Sequence, residues 1–174
     1  ADGYPGWLQD GFGKLISTLS SADPAAEVWT WGSDKHVRFW ARRMLHETTV
    51  HRADLELAAG EAPELDAAAS VDGIDEFLDN LPHAAYFAPN VENLRGSGEV
   101  LAMRASDHDV GWTIRLTTDG FVWQHDRDDA DVDIAGRAAD LLLFVYGRKD
   151  ATADGLDVTG DEKLLERWTS NSSI

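Results

Sequence analysis

The chain has 174 residues, 43% of them hydrophobic, with 32 acidic against 15 basic side chains and a formal net charge of −17. That length holds one ordinary core, or two small ones joined closely. The acidic balance disfavours nucleic acid and anionic membranes as partners, and the absence of cysteine removes disulfides, thiolate nucleophiles and cysteine-ligated zinc.

The elements follow in chain order. Leu8, Phe12, Leu15, Ile16 and Leu19 recur at helical spacing, so a short helix is expected from about Gly6 to Leu19. The N-terminal residues show no basic stretch followed by an apolar one, as a signal peptide would, and there is no initiator methionine. Ser20 to Pro24 breaks the helix, and Trp29 and Trp31 fall in a loop with Gly32 and Ser33. A long helix is expected from about Asp34 to Ala59, capped by Ser33 or Asp34 and stopped by Gly60. Val37, Ala41, Met44, Thr48, Leu55 and Ala59 share one face of it, read as the core stripe.

Residues 61–70 read as a linker, and Val71–Leu78 as a helix burying Ile74, Phe77 and Leu78 and stopping near Pro82. From about Ala84 the texture changes. Glu99–Ser106 reads as a strand, and Trp112–Thr117 and Phe121–His125 form a hairpin around Thr118-Asp119-Gly120. Val132–Ala135 is a further strand. Arg137–Tyr146 is a helix apolar nearly all round, ended by Gly147. Leu156–Thr159 and Asp161–Trp168 are the last strand and helix, before a polar tail, Thr169–Ile174, expected to fray. No apolar run reaches the ~20 residues of a membrane span, and a cytoplasmic location is expected.

The long helix carries the one constellation with chemistry in it. Measured from the apolar stripe, His51 and Glu47 lie on the same side, at the edge of the expected buried face, on a ridge with His36, Trp40, Arg43 and Asp54. His46 points nearly opposite. Carboxylate and imidazole at i and i+4 can reach one divalent metal, and Arg43 and Asp54 are placed to orient them. The same spacing is common by chance, and its ordinary meaning is a surface or boundary pair. A catalytic zinc takes three protein ligands, and neither His36 nor His46 obviously supplies the third. The acidic run Asp126–Asp133 lacks the Gly and Glu of a calcium loop and reads as a solvated turn. Trp29, Trp31 and Trp40 could wall a ligand pocket, although large aromatics usually serve the core.

The block Trp40-Ala41-Arg42-Arg43-Met44-Leu45-His46-Glu47-Thr48-Thr49-Val50-His51-Arg52-Ala53-Asp54 resembles the signature helix of the mycothiol-dependent maleylpyruvate isomerase family. Asp72–Glu76, Gly98–Leu101, Asp140–Leu143 through Gly147-Arg148, and Val158–Asp161 resemble later pieces of that family in the same order. The resemblance implies an α+β chain: a partial DinB-like helical bundle over residues 1–82, then a small sterol-carrier-like α/β domain over 83–174 with a mostly antiparallel sheet. It implies Glu47 and His51 as ligands of a divalent metal, zinc in the family, and Arg148 as a catalytic residue. The ordinary alternative for Arg148 is a cation favoured at a helix C-terminus. The implied function is a metal- and mycothiol-dependent isomerase or transferase acting on a small electrophile. The alternative is a non-catalytic small-molecule-binding module that has lost the complete metal site.

The family bundle has four helices, one bearing a third ligand, and only two are readable here before the linker. Either the chain is a fragment, or a homodimer completes the bundle, or the metal site is lost.

Overall fold

The computed structural model describes residues 3–126 and 129–174. Three α-helices come first: α1 (Tyr4–Ser21), α2 (Val37–Ala58) and α3 (Ala67–Asn80). Two short 3-10 turns, Leu81–Tyr86 and Pro89–Asn93, lead into the sheet region. There β1 (Val100–Ala105), β2 (Gly111–Thr117), β3 (Gly120–Gln124) and β4 (Val132–Gly136) precede α4 (Ala138–Val145). Strand β5 (Leu156–Gly160) and α5 (Glu162–Asn171) close the chain.

The five strands lie in the order β3-β2-β1-β4-β5. Only β1 and β4 run parallel; the other three pairings are antiparallel. The expected α+β class with a mostly antiparallel sheet is what forms. Register explains the inner face, because directly paired residues point to the same side. Met103 opposes Trp112 on one flank and Ile134 on the other, and Leu101 opposes Ile114 and Val132. All six are almost wholly buried. Helix α4 covers this face and buries every residue except Asp140, which pairs with Lys149 at 2.6 Å. Ile74, Phe77 and Leu78 of α3 join the same core. Asp131 and Asp133 are structural, not merely solvated: Asp131 accepts from the Val100 amide at 2.8 Å and Asp133 pairs with Arg104 at 2.6 Å. Part of that acidic turn, Arg127 and Asp128, lies outside the described residues.

Three expectations need correction. The first is the buried face of α2. The apolar row is not it: Ala41, Thr48, Leu55 and Ala59 are exposed, Leu55 at 74%. The buried residues are Phe39, Arg43, His46, Val50 and Ala53, and His46, expected to point away, is 1% exposed. The cause lies on α3. Asp72 meets His46 Nε2 at 2.7 Å, Glu76 meets Arg43 at 2.5 Å, and Gly73 has no side chain where the His46 ring sits.

The second correction is the start of α2. Asp34 does not cap it, because Arg38 and the His36 ring hold its carboxylate. The helix begins after His36, and loop carbonyls take its first amides: Ala26 accepts from Val37 and Pro24 from Arg38. Its end is as expected. Gly60 has φ +78, and the Glu61 amide reaches the Glu56 carbonyl in a Schellman close.

The third correction concerns the chain's later joints. The stretch expected as a linker already enters α3 at Ala67, because Asp66 caps it through the Ala69 amide at 2.9 Å. The tail does not fray at Thr169. Helix α5 runs to Asn171, Ser172 is 4% exposed, and Ile174 packs on the core.

No residue of α1 is buried. Tyr4, Trp7, Leu8, Phe12 and Ile16 are exposed, Trp7 at 73%. Among the described residues no helix is long and apolar enough to cross a membrane.

Candidate functional site

A cleft of about 320 Å³ opens beside α2, lined by Trp31, Arg43, Glu47, Val50, His51, Phe87, Tyr146, Arg148 and Ile174. It brings together Glu47, His51 and Arg148, although Arg148 lies 101 positions after Glu47 in sequence. Helix α2 supplies the first two from consecutive turns, and the sharp exit from α4 at Gly147 (φ +69) presents the third.

Charge organises the cleft from its base. Arg43 is 3% exposed and makes four hydrogen bonds to three residues. Its Nη1 donates to Glu76 Oε2 at 2.5 Å and to the Tyr146 hydroxyl at 3.1 Å. Its Nε and Nη2 donate to Glu47 Oε1 at 3.0 and 2.8 Å. Its ring contact with Tyr146 adds a cation above a π face, 6.0 Å from the centroid. Burial alone disfavours the Arg43 cation, but Tyr146, Glu76 and Glu47 together raise its pKa above the ordinary arginine value. Glu76 is itself 1% exposed, and its other oxygen accepts from Asn80 at 2.8 Å. The buried carboxylate is thus fully used.

With Oε1 of Glu47 tied to Arg43, Oε2 is left toward His51, whose Nε2 stands 3.2 Å away. The His51 Nδ1 meets Asp54 Oδ2 at 3.0 Å. That contact orients the ring from behind and leaves Nε2 facing Glu47. Two donors on one tetrahedral ion at about 2.0–2.1 Å stand roughly 3.3 Å apart, so the observed pair matches one edge of such a site. Both residues are more open than the helix angles indicated: the side chains of Glu47 and His51 are 42% and 65% exposed. Among the described residues no group of three or more His, Asp or Glu side chains converges to hold a metal. A pair falls one short of the three protein ligands of an ordinary catalytic zinc.

Arg148 forks onto Asp54, with Nε and Nη2 donating at 2.9 and 3.1 Å, and its Nη1 donates to the Tyr146 carbonyl at 2.6 Å. The Arg148 hydrogen bond is the chief reason the Asp54 pKa lies below its ordinary 3.8; it outweighs burial, and His51 adds to it. The sign follows. A depressed folded-state pKa contributes stability above the unfolded value, and that contribution disappears as pH falls through the folded one. Below pH 3.8 the Asp54–Arg148 pair is therefore expected to weaken. Replacing Asp54 with Asn should flatten the acid limb of a urea-midpoint titration, modestly because Asp54 is one-third exposed. An Asp54→Asn limb as steep as wild type would exclude this pair as a contributor.

Of the three tryptophans considered as walls, only Trp31 lines the cleft. Trp29 is 76% exposed and lies against Trp40 at 6.2 Å between ring centroids. Sequence reasoning missed Glu76 and Tyr146. Glu76 did leave a signal, since it sits beside Phe77 on a face with Gly73 and Asn80 where a buried carboxylate demands a cation. Tyr146 left none beyond its place before Gly147-Arg148.

Two family models match the chain: the mycothiol maleylpyruvate isomerase N-terminal domain over residues 3–56, and the MDMPI C-terminal domain over residues 68–167. The chain belongs to the mycothiol maleylpyruvate isomerase family. Both site-bearing stretches of this isomerase-family chain fall within the matches, α2 up to Glu56 in the first and Glu76, Tyr146 and Arg148 in the second. Among solved structures it is similar to a UbiJ-SCP2 ubiquinone synthesis protein, at 16% identity and TM-score 0.45, covering 63% of this chain and 93% of that one. It is also similar to the stereoselective inverting sec-alkylsulfatase Pisa1 from Pseudomonas sp., at 17% identity and TM-score 0.47. That match covers 58% of this chain and only 16% of the sulfatase. No curated protein matches the chain.

Proposed function

We propose that this member of the family is a metal- and thiol-dependent isomerase or transferase, with mycothiol as the thiol and a small electrophile as substrate. One observation carries the reading: in a chain of this family, Glu47, His51 and Arg148 line a single cleft. Glu47 Oε2 and His51 Nε2 would hold a divalent metal, zinc being the best match to a carboxylate–imidazole pair. Such a metal lowers the pKa of a thiol that binds it, so that the thiolate is available at neutral pH.

The protein's own groups do the rest. Arg43 holds Glu47 turned so that one oxygen remains for the cleft. Asp54 fixes the His51 ring. Arg148, already forked onto a carboxylate, has the geometry to take a substrate carboxylate as well. Trp31, Val50, Phe87 and Ile174 give the cleft apolar walls that limit water. The reducing cytoplasm, where a free thiol co-substrate persists, is the compartment proposed for this chemistry.

Metal content of the purified protein, measured by mass spectrometry beside Glu47→Ala and His51→Ala, tests the site. Wild type is expected to retain zinc at micromolar concentration, and each variant to lose affinity by at least about tenfold. A wild-type protein that binds no divalent metal at that concentration overturns the metal part of the proposal. Turnover of maleylpyruvate with mycothiol tests the rest.

A further inference from the structure

The cleft contains a hydroxyl whose hydrogen has no acceptor within the described protein. Tyr146 is 7% exposed and lines the cleft with Arg43, Glu47, His51 and Arg148. Its ring is fixed by an edge contact with Phe77, 5.0 Å between centroids. Its oxygen accepts from Arg43 Nη1 at 3.1 Å. A phenol has one hydrogen to donate, and a guanidinium accepts none. With Arg43 on the oxygen's lone pair, the O–H is turned away from the guanidinium. Burial, the largest influence, pushes the phenol pKa up to about 12, so the hydrogen stays in place at neutral pH. The acceptor side of the hydroxyl serves the buried Arg43, and its donor side is what remains for a molecule in the cleft.

We propose that the Tyr146 hydroxyl is the oxyanion donor of this cleft, binding the carbonyl oxygen of an α,β-unsaturated carbonyl substrate as that oxygen becomes an enolate. The proposal rests on the thiol-dependent reading above. In the addition step, a thiolate lone pair forms a C–S bond to the alkene carbon remote from the carbonyl. The C=C pair shifts toward the carbonyl carbon, and the C=O pair moves onto oxygen. The former double bond is then single and rotates. Collapse of the enolate re-forms C=O and C=C and expels the sulfur as thiolate. No proton or electron is gained or lost overall, so Tyr146 needs only to donate a hydrogen bond and keep its proton. Arg43, Glu47 and Arg148 line the same cleft, so the Tyr146 hydrogen bond acts beside cations that are already paired with carboxylates.

The test is Tyr146→Phe in the full chain, which keeps the ring and its packing and is checked by its near-ultraviolet circular dichroism. Two readouts separate the proposal from the reading it rests on. One is kcat and KM for maleylpyruvate with mycothiol. The other is calorimetric titration of oxalate, a stable enolate mimic that needs neither thiol nor turnover. If wild type turns over, kcat decides: a fall of about 100-fold, with KM within a few-fold, supports the donor, and an unchanged kcat overturns it while leaving the isomerase reading intact. If wild type does not turn over, the isomerase reading fails and oxalate decides. A loss of about tenfold in oxalate affinity on Tyr146→Phe keeps the donor, whereas equal affinity, or no wild-type binding at all, overturns it.

Discussion

Replacing Arg43 with alanine is expected to destabilise the protein by about 3–5 kcal/mol, the cost of leaving one member of a buried ion pair without its partner. The carboxylate left behind is Glu76, 1% exposed and out of reach of water. Asn80 still donates to one of its oxygens, but nothing neutralises its charge. The Tyr146 hydroxyl and Glu47 Oε1 lose their donor in the same stroke. Glu47, partly open, recovers some of that loss through water; Glu76 does not. Urea unfolding at neutral pH measures the effect. Arg43→Lys should fail to rescue it, because a point-like ammonium cannot serve Glu76, Tyr146 and Glu47 from one position. The informative control is the double replacement Arg43→Met with Glu76→Leu. Removing both charges should cost well under the sum of the two single changes. Additive losses would show that the two side chains do not act as a pair.

Phe77→Ala is the second large effect, expected at about 3–5 kcal/mol. Phe77 is fully buried where α3 meets the sheet-covering helix α4. Its loss removes the ring's contacts and leaves a cavity that two helices anchored in one core cannot readily collapse. The change also reaches the cleft, because the ring of Phe77 is what Tyr146 leans on. A loss under 1 kcal/mol in urea unfolding would mean that the core repacks around the gap. Phe77→Leu, nearer in volume, should retain most of the stability.

The sheet half of the fold was legible because its signals are local. Period-two alternation and the Thr118-Asp119-Gly120 turn specify β2 and β3, and the apolar run Leu141–Val145 specifies a helix buried on all sides. The arrangement of α2 was not, although its length and its Gly60 stop were. Helical angles have meaning only relative to a chosen zero, and the apolar row of α2 is the wrong zero. The true contact face is decided elsewhere, by Asp72, Gly73 and Glu76 on α3, which make Arg43 and His46 worth burying. The relation of Glu47 to His51 survived that error because it depends on their spacing alone. The convergence of Arg148 on them could only come from the fold, and the same holds for Tyr146, whose importance lies in what it touches across more than a hundred residues.

Helix α1 has a consequence for how the molecule comes apart. With no buried residue, it is held by few side-chain contacts, chiefly those of the half-buried Leu15 and Leu19. A helix of 18 residues is only marginally stable by itself in water. Its opening leaves the core of α3, α4 and the sheet untouched, so it behaves as a separate unit of low local stability. Among the helices, amide exchange will therefore run fastest through Tyr4–Ser21 and slowest through α4, so that α1 opens well before the core does.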